Sequence, residues 1–204
     1  MNSITFTALA LLLSGCALMA PPADKQSAEA PPQAQACPPS LPADTRCLGG
    51  RDSAGAHYLI AMPAVWNKRL VLHAHGGPLL GEPRPERAAE DLERWQVMVK
   101  AGTAEPGRND PVEDLERFSV MVNEGYAWAG STFRQGGVAV RAAAEDTERL
   151  RGIFLQHVAV PERTLLHGQS WGASVAAKAA EMFTGTPERR PYDGVLLTSG
   201  VVAG

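Results

Sequence analysis

The residues best suited to do chemistry lie in the stretch HGQSWGASV, residues 167–175. Ser170 has a glycine two residues away on each side, Gly168 and Gly172. A serine hydroxyl attacks a carbonyl only when a base takes its proton and donors stabilise the resulting oxyanion. The G-x-S-x-G spacing is typical of a serine on a tight turn between a strand and a helix. Ser170 is therefore the candidate nucleophile, and Gly168 and Gly172 are the small residues that such a turn requires.

A second motif, HAHGGP at residues 73–78, follows an apolar run. Two glycines after a strand can turn backbone N–H groups toward a site, whereas Pro78 carries no N–H. We expect the N–H groups of Gly77 and Trp171 to form an oxyanion hole, with Gly76 as a further candidate donor. A plain turn is the alternative interpretation of HGGP.

Five short apolar runs predict the strands that position these motifs: HYLIAMPAVW, KRLVLHAHGG, GYAWAGSTF, RTLLHGQ and YDGVLLTSG. Apolar residues at helical spacing predict helices over residues 141–157 and 172–184. Runs that are apolar on both faces and alternate with helices indicate a mostly parallel sheet covered on both sides. The predicted fold class is therefore α/β. Ser170 falls between a predicted strand and a predicted helix, which is the context its motif requires.

Over residues 56–204 these motifs resemble the α/β-hydrolases of the serine esterase and peptidase type. HGGP together with GQSWG is also similar to the pairing in prolyl-iminopeptidase-like members. The resemblance implies Ser170 as nucleophile, Gly77 and Trp171 as oxyanion donors, no cofactor, and a small ester or peptide substrate. Carboxylic ester hydrolysis is the favoured activity, and an aminopeptidase of the prolyl-iminopeptidase kind is the alternative.

One feature departs from the family pattern, in which an acid and then a histidine follow the nucleophile. Every histidine precedes Ser170: His57, His73, His75, His157 and His167. We therefore expect the catalytic acid and histidine not to be present in this chain, and residues 44–204 to be the amino-terminal part of a hydrolase domain. The sheet is expected to stop after about the fifth core strand. A non-catalytic remnant, or an envelope binding protein, is the alternative from a different class.

Three of the upstream histidines are candidates for metal binding, for the role of a base or for the core. His73 and His75 share one face of a predicted strand, which is the start of a metal site, but no third ligand is evident and no metal is predicted. His75 is the upstream histidine best placed to act as a base, although a structural role beside the HGG loop is favoured. His167 is expected in the core.

The amino-terminal region has a pattern that predicts export and attachment to a membrane. Residues 1–16 are a short apolar run ending in LSGC, which resembles a bacterial lipobox and predicts a signal peptide with lipidation at Cys16. An ordinary signal peptide is the alternative. Residues 17–43 are rich in proline and alanine and are predicted to be a linker. The expected location is the periplasmic face of the outer membrane, with the lipid as the link to the membrane.

Cys37 and Cys47 are the two cysteines beyond Cys16. An even pair in an exported chain predicts a disulfide, with two free thiols as the alternative. The 19 basic residues are outnumbered by 22 acidic ones and form no block, so no nucleic-acid partner is expected.

The stretch EDLERWQVMVKAG at residues 90–102 recurs as EDLERFSVMVNEG at residues 113–125, with 9 of 13 positions identical. Two copies are too few for a solenoid, which needs about three or more repeats. The duplication predicts one helix repeated in tandem, and a cap or lid is the functional alternative.

Overall fold

The computed structural model describes residues 28–76, 111–134, 139–186 and 190–200 of the chain. Within these ranges seven strands form one sheet, in the order β1-β2-β3-β5-β4-β6-β7. The strands are β1 (Gln33–Gln35), β2 (Arg46–Arg51), β3 (His57–Met62), β4 (Arg69–Ala74), β5 (Ala127–Ser131), β6 (Arg163–Gln169) and β7 (Gly194–Thr198).

Four helices lie in the described ranges: α1 (Pro111–Arg117), α2 (Val120–Asn123), α3 (Val140–His157) and α4 (Trp171–Met182). The helices predicted over residues 141–157 and 172–184 correspond to α3 and α4. α4 begins directly after Ser170 and follows β6 without a loop. None of the helices in these ranges has the length and apolarity needed to cross a bilayer.

The sheet is mixed, and the prediction of a mostly parallel sheet was wrong in this respect. Three strand pairs are parallel: β5–β4, β4–β6 and β6–β7. The other three pairs are antiparallel: β1–β2, β2–β3 and β3–β5. The connections explain the difference. Parallel neighbours need a crossover of about a dozen residues or more, and residues 52–56, between the neighbours β2 and β3, are too short for one. Residues 63–68 turn the chain back from β3 into β4, and because β5 pairs parallel to β4, the β3–β5 pair is antiparallel. The chain therefore reverses direction after β2 and again after β3.

The amino-terminal edge of the sheet lies partly in the segment predicted as a linker. β1 falls within residues 17–43, and its register places Gln33 opposite Gly49 of β2. All three side chains of β1 are exposed, so this strand is held by backbone pairing and needs no apolar residues. A disulfide joins Cys37 to Cys47 in the next strand, with their Cα atoms 5.2 Å apart. The remaining linker residues up to 27, the signal segment and Cys16 lie outside the described ranges.

Both faces of the central sheet are buried. α3 and α4 cover one face, where Ile60, Leu72 and Leu166 pack against Phe154 and Val175. The other face carries Val71, Leu59 and Trp128, which pack against Leu115 of α1 and Val122 of α2. Because successive strand residues point to opposite faces, Val71 and His73 of β4 share this second face.

The second copy of the duplicated segment forms two short helices instead of the single predicted helix. α1 ends at Arg117, and Phe118 and Ser119 make a turn before α2 begins. The Phe118 ring packs against His73 and His167, at centroid distances of 4.8 and 4.7 Å. The helix thus breaks where an aromatic side chain enters the site region. The first copy, residues 90–102, lies outside the described ranges.

Candidate active site

The two sequence motifs meet at one edge of the sheet. β4 and β6 are parallel neighbours, and their register sets Ala74 beside Gly168. The carboxyl ends of parallel strands lie at the same edge, where sites in α/β folds are built. The loop that follows β4, with His75 and Gly76, therefore lies beside the turn that carries Ser170.

Ser170 has the backbone conformation of a strained turn. Its φ of 54° and ψ of −121° lie in a region that L-residues rarely adopt. Such a conformation costs about 1–3 kcal/mol and persists only where its surroundings enforce it. Two hydrogen bonds enforce it here: Ser170 N–H donates to the Thr198 carbonyl at 2.8 Å, and Ala173 N–H donates to the Ser170 carbonyl at 3.0 Å. The side chain is thereby held at the junction of β6 and α4.

The flanking glycines are required by close backbone contacts. A Cβ at Gly168 would lie 2.3 Å from the Gly172 carbonyl oxygen and 2.6 Å from Cα of Ala173. A Cβ at Gly172 would lie 2.0 Å from the carbonyl oxygen of Ala74 and 2.4 Å from that of His75. The contacted atoms are backbone, so they cannot move aside as a flexible side chain would. Gly168 lets α4 approach β6, and Gly172 lets α4 approach the end of β4.

The Ser170 hydroxyl is not used to hold the helix. Ser170 is the residue before the first turn of α4, but its side chain makes no capping hydrogen bond. Trp171 is the first residue of α4, a position whose N–H has no partner within a helix. The Trp171 N–H lies directly after Ser170 without an intrahelical partner, and its role as an oxyanion donor stays a prediction. Gly77, the other expected donor, lies outside the described residues.

The loop after β4 touches the Ser170 turn through Gly76. A Cβ at Gly76 would lie 2.1 Å from Oε1 of Gln169 and 3.1 Å from the Gln169 carbonyl oxygen. The small residue therefore allows the HGG loop to lie directly against the residue before the nucleophile. The structure brings Gly76, Gln169 and Ser170 together at the edge where the two motifs were expected to meet.

His75 is buried beside this turn and is only 4% exposed. Its Nδ1 lies 3.3 Å from the Gly76 carbonyl oxygen, and its ring packs on Phe133 and Trp171 at centroid distances of 4.4 and 6.2 Å. Burial lowers the pKa of His75, partly opposed by the Gly76 carbonyl. His75 is therefore neutral at physiological pH. Among the described residues, no histidine forms a hydrogen bond with Oγ of Ser170.

His73 and His75 have different surroundings. The His73 ring stacks on Trp128 at a centroid distance of 5.6 Å and lies 4.8 Å from the ring of His167, whereas His75 lies with Phe133 and Trp171. The described ranges contain no group of three or more histidine, cysteine, aspartate or glutamate residues arranged to hold a metal ion.

Two further residues, not predicted from the sequence, lie near the Ser170 turn in the structure. Asp114 of α1 is 6% exposed, and its Oδ2 lies 3.3 Å from Nε2 of His73. Thr198, at the end of β7, places its Oγ1 3.1 Å from Nε2 of His167. Asp114 lies in the duplicated EDLER motif, which was the one available signal for it. Nothing in the sequence distinguishes Thr198 from other threonines at strand ends.

Comparisons with known proteins give similarity in structure only. No protein-family model matches the chain, and no curated protein matches it in sequence. The rice cell wall degrading esterase LipA from Xanthomonas oryzae is 16% identical, with a TM-score of 0.39 over 75% of this chain and 40% of that one. Acetyl Xylan Esterase 1 from Thermoanaerobacterium sp. is 13% identical, with a TM-score of 0.44 over 81% of this chain and 52% of that one. The chain thus spans about half or less of the length of these esterases.

Proposed function

We propose that the protein is a serine hydrolase that cleaves carboxylic esters with Ser170 as its nucleophile. The observation that carries the proposal is the backbone of Ser170, held at φ 54° and ψ −121° between β6 and α4. Strain of this kind is retained where it serves a purpose, and a nucleophile on a sharp strand-to-helix turn is such a purpose. The glycine contacts on both sides and the adjacent HGG loop support the same interpretation.

The proposed reaction follows from the groups at this edge. Oγ of Ser170 attacks the acyl carbon of the ester as its proton passes to a base, and the carbonyl oxygen becomes an oxyanion. The Trp171 N–H and the Gly77 N–H donate to that oxyanion. Collapse breaks the bond to the alcohol, which leaves with a proton, and water then releases the acid and regenerates Ser170. We propose that the acid and the histidine of a triad lie outside residues 28–200.

The test is turnover of p-nitrophenyl acetate and butyrate by the natural protein isolated from its own host and by its Ser170→Ala variant. We expect hydrolysis to depend on Ser170, with a residual rate in the variant close to that of buffer. Ser174→Ala is the matched control, since Ser174 lies one helical turn later in α4 and is predicted to leave the rate unchanged. Equal rates for the natural protein and the Ser170→Ala variant would contradict the proposal and favour a non-catalytic binding protein.

The choice of substrate distinguishes the alternative function, an aminopeptidase of the prolyl-iminopeptidase kind, from an esterase. Such an enzyme requires a free amine, so proline p-nitroanilide would be cleaved and its N-acetylated form would not. We expect the ester substrates to be cleaved and both anilides to be left intact.

We also propose that the protein is exported and attached to a membrane through lipidated Cys16, on the periplasmic face of the outer membrane. The LSGC motif and the apolar run before it support this proposal. A single lipid chain gives only weak membrane binding, so stable attachment requires the several acyl chains of a lipoprotein anchor. Globomycin, which blocks lipoprotein signal cleavage, should cause a heavier precursor to accumulate, and Cys16→Ser should release the protein from membranes.

A further inference from the structure

Four polar side chains form a series beneath the Ser170 turn, on the face of the sheet that carries Val71, and three of them, His73, His167 and Asp114, are buried. Oδ2 of Asp114 lies 3.3 Å from Nε2 of His73, and Nδ1 of His73 lies 2.9 Å from Nδ1 of His167. Nε2 of His167 lies 3.1 Å from Oγ1 of Thr198. The series links α1, β4, β6 and β7.

The surroundings of the two histidines are apolar, and each is only 2% exposed. Phe118 packs against both rings and Trp128 stacks on that of His73. Buried polar atoms in such surroundings must be hydrogen-bonded to one another. Nε2 of His73 makes no aligned hydrogen bond within the described residues, and the Asp114 carboxylate is the acceptor placed to receive its proton.

The number of ring hydrogens determines which group donates in each hydrogen bond of the series. Only one hydrogen fits between two Nδ1 atoms 2.9 Å apart, so one ring donates and the other accepts. The Asp114 carboxylate accepts a hydrogen bond from the Nε2–H of His73, which leaves Nδ1 of His73 as an acceptor. His167 must then donate from Nδ1, and its Nε2 accepts from the hydroxyl of Thr198.

Thr198 links this series to the Ser170 turn. Its Oγ1 lies 3.3 Å from the Gly168 carbonyl oxygen, and its own carbonyl accepts the Ser170 N–H. Gly168 is a flanking glycine of that turn, so both contacts hold the backbone around Ser170.

We propose that Asp114, His73, His167 and Thr198 form one series of hydrogen bonds that positions the Ser170 turn. These are positioning residues, and the inference rests on the proposed function of Ser170. Burial lowers the pKa of His167 to about 4, so His167 is neutral at physiological pH and carries one ring hydrogen.

The test is long-range ¹H–¹⁵N correlation spectroscopy of the ¹⁵N-labelled chain at neutral pH, which reports which ring nitrogen carries the hydrogen. We expect the hydrogen of His73 on Nε2 and that of His167 on Nδ1. Asp114→Ala should remove this preference, because no carboxylate then faces Nε2 of His73. Glu116→Gln, at an exposed carboxylate on the same helix, should leave both tautomers unchanged. The opposite tautomers in the original chain would overturn the proposed hydrogen bonds.

Positioning is tested separately with Thr198. Thr198→Val removes the hydroxyl at nearly constant shape, and Thr198→Ser keeps it. We expect the valine variant to speed hydrogen exchange of the Ser170 amide and to slow fluorophosphonate labelling of Ser170 roughly 10-fold, since small misplacements of reacting groups are costly. The serine variant should restore both. If Ser170 is never labelled in the natural protein isolated from its own host, the proposed function fails, while amide exchange still decides the positioning role. Exchange that is equal in the valine and wild-type chains would overturn that role.

Discussion

Gly172→Ala is expected to destabilise the chain by about 3–5 kcal/mol, a large effect for one substitution, because the new side chain forces backbone apart in a packed region. The new Cβ would lie 2.0 Å from the Ala74 carbonyl oxygen and 2.4 Å from that of His75. Relief requires α4 to move away from the end of β4, which also displaces Ser170. Urea denaturation followed by circular dichroism measures the change.

Gly152→Ala is the matched control for this substitution. Gly152 lies within α3, and a Cβ there would meet no atom within 4 Å. Alanine is favoured over glycine inside a helix by about 0.5–1 kcal/mol, so this variant should be slightly more stable than the original chain. Similar stabilities for Gly172→Ala and Gly152→Ala would show that α4 does not pack against β4 as described.

The stability of the chain should fall as the pH is lowered from 7 to 5, partly because of His167. Burial, together with the neighbouring His73, lowers the pKa of His167 from 6.5 to about 4 in the folded chain, with Asp114 acting in the opposite direction. Between these values the unfolded chain binds a proton that the folded chain does not. The contribution is therefore fully present above pH 6.5 and is lost as the pH falls toward 4. The expected loss from pH 7 to pH 5 is about 2 kcal/mol.

The measurement compares urea unfolding at pH 7 and pH 5 for the original chain and for His167→Gln. Glutamine has no titrating group, so the variant should be less stable at pH 7 but should lose about 2 kcal/mol less on acidification. Parallel losses in the two proteins would mean that His167 titrates normally and is not buried against His73.

The nucleophile turn could be predicted from sequence because its requirements are local. Ser170, Gly168 and Gly172 lie within five consecutive residues, and the strand and helix on either side have the expected apolar patterns. The meeting of HGG with GQSWG also follows from simple topology. Each motif lies at the carboxyl end of a strand, and the two strands are parallel neighbours, so the motifs lie at the same edge of the sheet.

The mixed sheet and the buried polar chain could not be predicted in the same way. The direction of β3 depends on the short connection at residues 63–68, and apolar periodicity carries no information on strand direction. The edge strand β1 has no apolar pattern, because it pairs through its backbone alone. The contact of Asp114 with His73 and that of Thr198 with His167 join residues 41 and 31 positions apart, and each of these residue types is ordinary in its own segment. Only the packing of four elements brings them together.

The most direct test of the central claim, that Ser170 is a reactive nucleophile, is to treat the natural protein, isolated from its own host, with a fluorophosphonate probe and to locate the adduct by peptide mass spectrometry. We expect one adduct, on the peptide that carries Ser170, formed equally in Ser174→Ala and lost in Ser170→Ala. An unmodified Ser170, or an adduct on another serine that persists in Ser170→Ala, would contradict it.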